Sequence, residues 1–449
     1  MENKKIYVYS QFKEQDTFVG TLVIYENFKN KTHSTFEYSD EWLNYIHNYP
    51  LGIDLPLKQG RFYCNTEDTI FRLFSLSYSI DPVDFYYEIF LIYADKSNLL
   101  SNKEGYDKQV LYDWFKTATC HCAKFGRYED HKFSIITNIL YENDYSRSGS
   151  IRFKLDKNGE FVQNLSNIKI PTIENIDRVI EIFNSIKTNS ETTAELEQFH
   201  AFVSGLNGRK PKTHILNKNN DLCIAKLSAI TDDLFSEYGV ELLALKIAKK
   251  LGIQTQEFSI ETTNKGEKFL LIKRFDRNKQ ERIPFHKLSA FITKNDVEDT
   301  KSITKAIKLI SKNNSTKNLR EFFKRSLFRI AITNTNAQIP NTGFLYNSQK
   351  GWLISPEYDT TCGFELRRTP YDMDRVKDFY IKDTRKEIQT LINNRHYYRV
   401  TTQQAKKELL QLKKVLLKWK PLALEIGFEK ENLYRIKIFK ACLNGIKFE

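Results

Sequence analysis

The chain has 449 residues, of which 41% are apolar and 13% aromatic. That length exceeds one ordinary hydrophobic core, so two or three packed units are expected, and the composition excludes wholesale disorder. The formal net charge is +13, and residues 379–449 hold 16 Lys or Arg against 7 Asp or Glu, which places nine of the 13 excess charges in the last 71 residues. A basic face of this kind attracts nucleic acid, an acidic protein or nucleotide phosphates, or is simply solvated.

The six cysteines (Cys64, Cys120, Cys122, Cys223, Cys362, Cys442) are scattered along the chain. Cys120-His121-Cys122 is too tight for a CxxC knuckle and no second pair stands at ligand spacing, which argues against zinc and for reduced thiols. The polar N-terminus lacks the apolar core of a signal peptide, and no later run has the length to span a bilayer. A soluble, cytoplasmic protein with no membrane association is expected.

Residues 5–9 and 18–25 are rich in β-branched and aromatic side chains and predict a first hairpin. Ser39-Asp40-Glu41-Trp42-Leu43 is a helix start, with Ser39 as N-cap and two acids in the first turn. Residues 51–57, LGIDLPL, are apolar and broken by proline, and are read as an edge strand or a loop packed on the core. A helix is expected around 110–117, strands at 133–140 and 150–155, and an amphipathic helix over 173–186 after Pro171. His121, His131 and His200 have no nucleophile or acid tied to them, so surface or core histidines are the default.

Beyond residue 200 the signals sharpen. The stretch AFVSGLNGRKPKTHIL combines Ser204, Gly205 and Gly208 with Arg209, Lys210 and Lys212. Glycines let backbone N–H groups approach phosphate oxygens and the cations add charge, although an ordinary basic turn has the same composition. Residues 222–227, LCIAKL, predict a buried strand whose Lys226 needs a partner for its charge. A helix follows with Val240, Leu243, Ala244, Ile247 and Leu251 on one face, Glu241 in its first turns and Gly252 as C-cap. A strand lysine followed by a helix glutamate is the pair kinases use to hold the α and β phosphates, and a snorkelling lysine beside a solvated glutamate is the alternative. Residues 269–277, FLLIKRFDR, read as a second buried strand running into charge. In a bilobal kinase, adenine would lie near its end, by Lys273 and Phe275.

The C-terminal portion reads as mainly helical. Leu319, Phe322, Phe323, Leu327, Ile330 and Ala331 form one buried helical face. Ala405, Leu409, Leu412, Leu416 and Trp419 form another, ended by Pro421, and its lysines carry much of the basic excess. Between these helices lies NTNAQIPNTGFLYNSQKGWLISPEYDTT, residues 334–361: a loop, a hairpin (GFLYN, GWLIS), then Pro356-Glu357-Tyr358-Asp359. An Asn on a loop after a helix and an Asp just past the next hairpin is how kinase-like phosphotransferases present metal-binding groups; a surface hairpin with turn residues is the alternative.

Taken together, the chain resembles the HipA-type toxin kinases, bacterial serine/threonine kinases of toxin–antitoxin modules. The EWL and LGIDLPL segments look like that family's N-terminal subdomain. SGLNGRKPK is similar to its SxxGGARPK loop, IAK to its ATP-lysine strand and KRFDR to its RFDR. NTNAQIPNTGFLY and GWLISPEYD are similar to NTDDHxxNHGFL and WxLSPAYD. The resemblance implies an α+β, bilobal protein-kinase-like fold in three parts: an N-terminal α/β subdomain (1–160), a kinase-like N-lobe (161–277) and a helical C-lobe (278–449). It implies that Lys226 binds ATP phosphates, that Asn341 and Asp359 hold Mg2+, and that Ser204 lies in the loop where family members are autophosphorylated. It also implies a helix-turn-helix antitoxin partner, DNA contact only through that partner, and a protein substrate such as a translation factor or aminoacyl-tRNA synthetase.

One departure stands out. Where the family has Asp-Asp-His, this chain has Asn336-Ala337-Gln338, and residues 322–356 contain no Asp or Glu. The first of those family aspartates accepts or orients the substrate proton. An asparagine amide can orient a hydroxyl but is far too weak a base to take its proton. The readings are therefore a weakened kinase, a pseudokinase that binds or regulates with or without nucleotide, or a DNA-associated accessory protein with a vestigial site.

Overall fold

The computed structural model describes residues 3–13, 15–26, 32–64, 143–162, 168–188, 190–203, 206, 211–227, 234–279, 281–292, 299–334, 339, 341–363, 370–438 and 440–448. Their contacts gather into two units, Met1–Leu227 with Ser259–Phe285, and Ser228–Phe258 with His286–Glu449. The elements expected at 110–117 and 133–140, with Cys120-His121-Cys122 and His131, lie outside the described residues.

The first unit opens with an antiparallel sheet. β1 (Asn3–Phe12) and β2 (Gln15–Glu26) form the expected hairpin, and β3 (Thr32–Tyr38), β4 (Arg61–Cys64) and β5 (Ile151–Lys154) complete the order β4-β3-β2-β1-β5. Strand alternation turns Ile6, Val8, Leu22, Ile24 and Phe36 into the core while Lys5 and Glu37 face outward. Backbones approach closely at Gly20: a Cβ there would collide with the Glu37 carbonyl oxygen and stand 2.7 Å from the Phe36 ring. Only glycine permits that approach.

Ser39 caps α1 (Asp40–Asn44) as expected, its Oγ accepting from Trp42 N at 3.0 Å, and Trp42 is buried beneath it. Of the two readings of residues 51–57, the loop is found. Leu51 and Leu55 are buried, and Tyr38 Oη donates to Leu55 O at 2.7 Å.

The rest of this unit is a helical pair on a second sheet. α2 (Ile176–Thr188), the amphipathic helix expected after Pro171, and α3 (Thr193–Val203) pack against β6 (Lys212–Leu216), β7 (Leu222–Lys226) and β9 (Lys268–Lys273) of the sheet β6-β7-β9-β8, where β8 is Phe258–Thr262. Val179, Ile182, Phe183, Phe199, Ile215, Ala225, Phe269 and Leu271 share one core. The expected run over 269–277 stays a strand only to Lys273. A turn follows, and Arg277 begins the short ribbon of β10 (Arg277–Asn278) and β11 (Glu281–Arg282).

The second unit is mainly helical. α4 (Leu234–Lys250) buries Val240, Leu243, Ala244 and Ile247, and ends at Gly252 with φ +70°, Ile253 N donating to Ala248 O at 3.0 Å. α5 (Thr300–Ser311), capped by Asp299, packs on α6 (Ser315–Ala331). β12 (Phe285–Lys287), β13 (Gly343–Asn347) and β14 (Gly351–Ile354) form a three-stranded sheet containing the expected hairpin.

α7 (Pro370–Asn393), α8 (Thr402–Leu416) and α9 (Trp419–Glu425) complete the unit. α8 buries Ala405, Leu409, Leu412 and Leu416 and starts with a capping box between Thr401 and Gln404. Pro421 does not end this helix, contrary to expectation. The break falls at Leu417–Lys418, and Pro421 sits in the first turn of α9, where an N–H would have no intrahelical partner and proline is tolerated. Among the described residues no helix is long and apolar enough to cross a membrane.

Candidate nucleotide and metal site

The loop and hairpin that follow α6 are closed at their base. α6 ends through Thr333, held at φ +57°, with Asn334 N donating to Arg329 O at 2.8 Å. At the far end Gly363 N donates to Ile332 O at 2.8 Å, and a Cβ on Gly363 would strike the Thr333 side chain. The strand register of β13 and β14 spans the middle, Phe344 opposite Ile354 and Asn347 opposite Gly351. The sequence's hairpin therefore becomes a pinned platform.

Two expected metal ligands meet on it. Asn341 Nδ2 donates to the backbone oxygen of Asp359 at 2.7 Å. The amide's donor faces Asp359, so Oδ1 is the atom Asn341 can offer a cation. Asp359 adopts φ +49°, a left-handed conformation that aspartate tolerates better than most residues, and its side chain is exposed. Among the described residues no three His, Cys, Asp or Glu side chains cluster as a metal site. Mg2+ needs no such cage, because it usually takes one or two carboxylates together with phosphate and water oxygens. A donor set of one carboxylate and one amide oxygen fits it.

A buried ion-pair network lies under this platform, and sequence reasoning missed it. Glu357, fully buried, takes Arg329 Nε at 2.7 Å and Nη2 at 2.9 Å, with Thr360 Oγ1 donating to it at 2.5 Å. Arg329 also donates to Asn341 O (2.8 Å) and Thr342 Oγ1 (2.9 Å), and Arg325 to Ser355 O (2.7 Å) and Glu321 (2.8 Å). The available signal was two arginines four apart in the apolar stripe of α6, a spacing that puts both on one buried face. The network also settles the status of Glu357. The first acid after the loop is enclosed and paired.

In the first unit, Lys226 ends β7 and is 8% exposed, and its cross-strand neighbour on β6 is Lys212. Directly opposed residues share a sheet face, so two cations of the glycine-loop and strand segments stand side by side. Lys273 lies elsewhere. It ends β9 opposite Cys223, three residues from Lys226 or about 10 Å of strand, and forms a salt bridge with Asp221 at 2.8 Å. Phe275 packs on Phe285 with ring centroids 5.4 Å apart. Glu241 is buried in α4 of the second unit. Ser204, Gly205, Gly208 and Asn336 lie outside the described residues.

The charges of the KRFDR segment are tied into the protein. Asp276 accepts from Arg274 Nε and Nη2 (2.9 and 2.6 Å), Arg277 Nη1 (3.1 Å) and Gly149 N (2.7 Å). Burial alone would push this carboxyl up, but Arg274 and then Arg277 outweigh it and hold it far below the usual carboxylate range. Arg274 reaches Ser146 O, and Asp144 pairs with Arg152 (2.7 Å) and Arg282 (3.1 Å). These residues bind 143–150 to β10 and β11.

Residues 204–420 match the family model described as the HipA-like C-terminal domain. That match covers 217 of the 449 residues, so it is this part of the chain that is similar to the HipA-like C-terminal domain. A sequence comparison with curated proteins gives no match. Among solved structures, this chain is similar to HipA of Shewanella oneidensis MR-1, solved with HipB and operator DNA, at 13% identity and a TM-score of 0.53 over 98% of this chain and 95% of that one. The Helicobacter pylori proinflammatory kinase CtkA matches 48% of this chain and 95% of its own at 18% identity and a TM-score of 0.28. The first likeness bears out the α+β, HipA-like fold expected from the motifs.

Proposed function

We propose that this protein is of the HipA type, binds Mg-ATP and transfers phosphate to a protein serine or threonine only weakly. The observation that carries the reading is the hydrogen bond from Asn341 Nδ2 to the Asp359 backbone oxygen, which makes neighbours of two residues whose side-chain oxygens are of the kind Mg2+ uses. Asn341 and Asp359 would hold the ion, and a bound Mg2+ would supply charge neutralisation at the phosphates. The Lys226 and Lys212 ammonium groups, neighbours on one sheet face, would balance the remaining phosphate charge. The loop carrying Ser204, Gly205 and Gly208 would wrap the phosphates, and adenine would lie by Lys273 and Phe275.

Transfer moves the γ-phosphoryl group from ATP to the hydroxyl oxygen, ADP departs with the electrons of the broken P–O bond, and the hydroxyl proton must leave. Asn336 can hold that hydroxyl but cannot take its proton, and loss of a general base lowers the rate by about 10²- to 10⁴-fold. The enclosed Glu357 favours a second reading, a pseudokinase that binds nucleotide and acts as a regulator. The family's helix-turn-helix antitoxin is the proposed partner, with DNA contacted through it and the cytoplasm as the compartment. The proposed substrate is a translation factor or aminoacyl-tRNA synthetase.

Calorimetric or thermal-shift titration with Mg-ATP tests the binding step; no response at millimolar nucleotide would overturn it. Radiolabelled ATP then compares the protein with Asn336→Asp. A large gain in the variant supports a weakened kinase and equal labelling refutes the role given to Asn336. No labelling by either protein, with nucleotide bound, supports the pseudokinase.

A further inference from the structure

Arg329, Glu357, Asn341 and Asp359 form a closed circuit. Nη2 of Arg329 donates both to Glu357 Oε2 at 2.9 Å and to Asn341 O at 2.8 Å. Asn341 Nδ2 donates to Asp359 O at 2.7 Å, and the chain through Tyr358 leads back to Glu357. We propose that the buried Arg329–Glu357 pair is a positioning element for the cation site, setting Mg2+ affinity without touching metal or nucleotide. The proposal rests on the Mg-ATP reading above.

Asp359 is exposed and Asn341 half-buried, both in irregular chain, and Asp359 has positive φ, a conformation that persists where its surroundings over-determine it. The surroundings here are fixed from two sides. Glu357 is gripped by Arg329 and Thr360, and its own N–H donates to Gln254 O at 2.7 Å. Across the circuit, Thr342 accepts from Arg329 at its hydroxyl and from Leu288 N at its carbonyl (2.8 Å).

A hydrophobic contact would fill the same space without fixing direction. A planar guanidinium with both forks engaged sets where Asn341 and the 357–360 turn stand relative to α6, and hence the relative placement of Oδ1 and the Asp359 carboxylate. Glu357 stands where the SPAYD motif has alanine, so the circuit is a property of this chain's own residues.

The test is the double variant Arg329→Met/Glu357→Leu, which leaves no buried charge unpaired. Binding of a fluorescent ADP analogue is titrated over a Mg2+ series and in EDTA. The variant should need about 10- to 100-fold more Mg2+, as with groups that orient metal ligands, while affinity in EDTA is unchanged. A Mg2+ midpoint within about twofold of wild type would overturn the proposal.

If wild type binds no nucleotide in any condition, the Mg-ATP reading fails, and hydrogen exchange decides the circuit separately. Joint loss of protection at 341–347 and 357–363, with α8 unaffected, supports positioning; retained protection refutes it. Glu357→Gln, which keeps shape and one acceptor oxygen, serves for the same readouts if the double variant does not fold.

Discussion

Replacing Asp276 with alanine tests whether the KRFDR segment is structural. Asp276 accepts four hydrogen bonds, three of them from the guanidiniums of Arg274 and Arg277, and all three side chains are buried. Asp276→Ala leaves two buried cations and the Gly149 N–H without this acceptor. Breaking a buried pair in this way costs about 3–5 kcal/mol. At about 2–4 °C per kcal/mol for a unit of this size, the melting midpoint should fall by roughly 6–20 °C. Circular-dichroism melts measure the shift, and hydrogen exchange should show 143–150 opening first, because Gly149 and Ser146 are tied to these residues. A loss below about 1 kcal/mol, the range of an exposed ion pair, would refute the argument. A triple replacement of Arg274, Asp276 and Arg277 by apolar residues should cost less than the single change, since it strands no charge.

Further outcomes follow from the same geometry. Asp276 and Asp144 both have folded-state carboxyls held below their unfolded values, so their contribution is complete above about pH 4 and lost as pH falls further; urea midpoints between pH 6 and pH 2.5 should show a drop that Asp276→Ala reduces. Gly20→Ala drives a methyl into the Glu37 carbonyl and Phe36, and should destabilise the first unit by about 1–3 kcal/mol in urea titration. Ser39→Ala removes the acceptor for Trp42 N and should cost about 1 kcal/mol. Lys226→Met should weaken ATP binding by calorimetry with little change in melting midpoint; unchanged affinity would sever Lys226 from the proposed site.

The sequence made the local elements legible where one rule governs: the Ser39 cap, the 343–354 hairpin and the apolar faces of α4 and α6. The neighbourhood of Asn341 and Asp359 was legible too, because they flank a hairpin whose register carries them together. The charged anchors were not. Arg329, Glu357 and Asp276 look like surface residues by composition, and their burial depends on partners 28 or 127 positions away. Pro421 was misread for a related reason, since proline signals a helix boundary without telling which side of it the next helix begins.

This distribution of acids separates the fold from the chemistry. Asp276, Asp144 and Glu357 each neutralise buried arginines, and losing one would strand charge in the interior at about 3–5 kcal/mol, a large share of a domain's stability. A loop carboxylate that serves only a substrate proton carries no such penalty; changing it typically alters stability by about 0.5 kcal/mol or less while lowering the rate by orders of magnitude. A chain can therefore retain a HipA-like fold, the proposed metal donors and the arginine circuit beneath them, while Asn336 stands where the proposed transfer calls for a base. On this argument the acidic residues that persist report on architecture, and Asn336→Asp is the substitution that can restore chemistry without disturbing it.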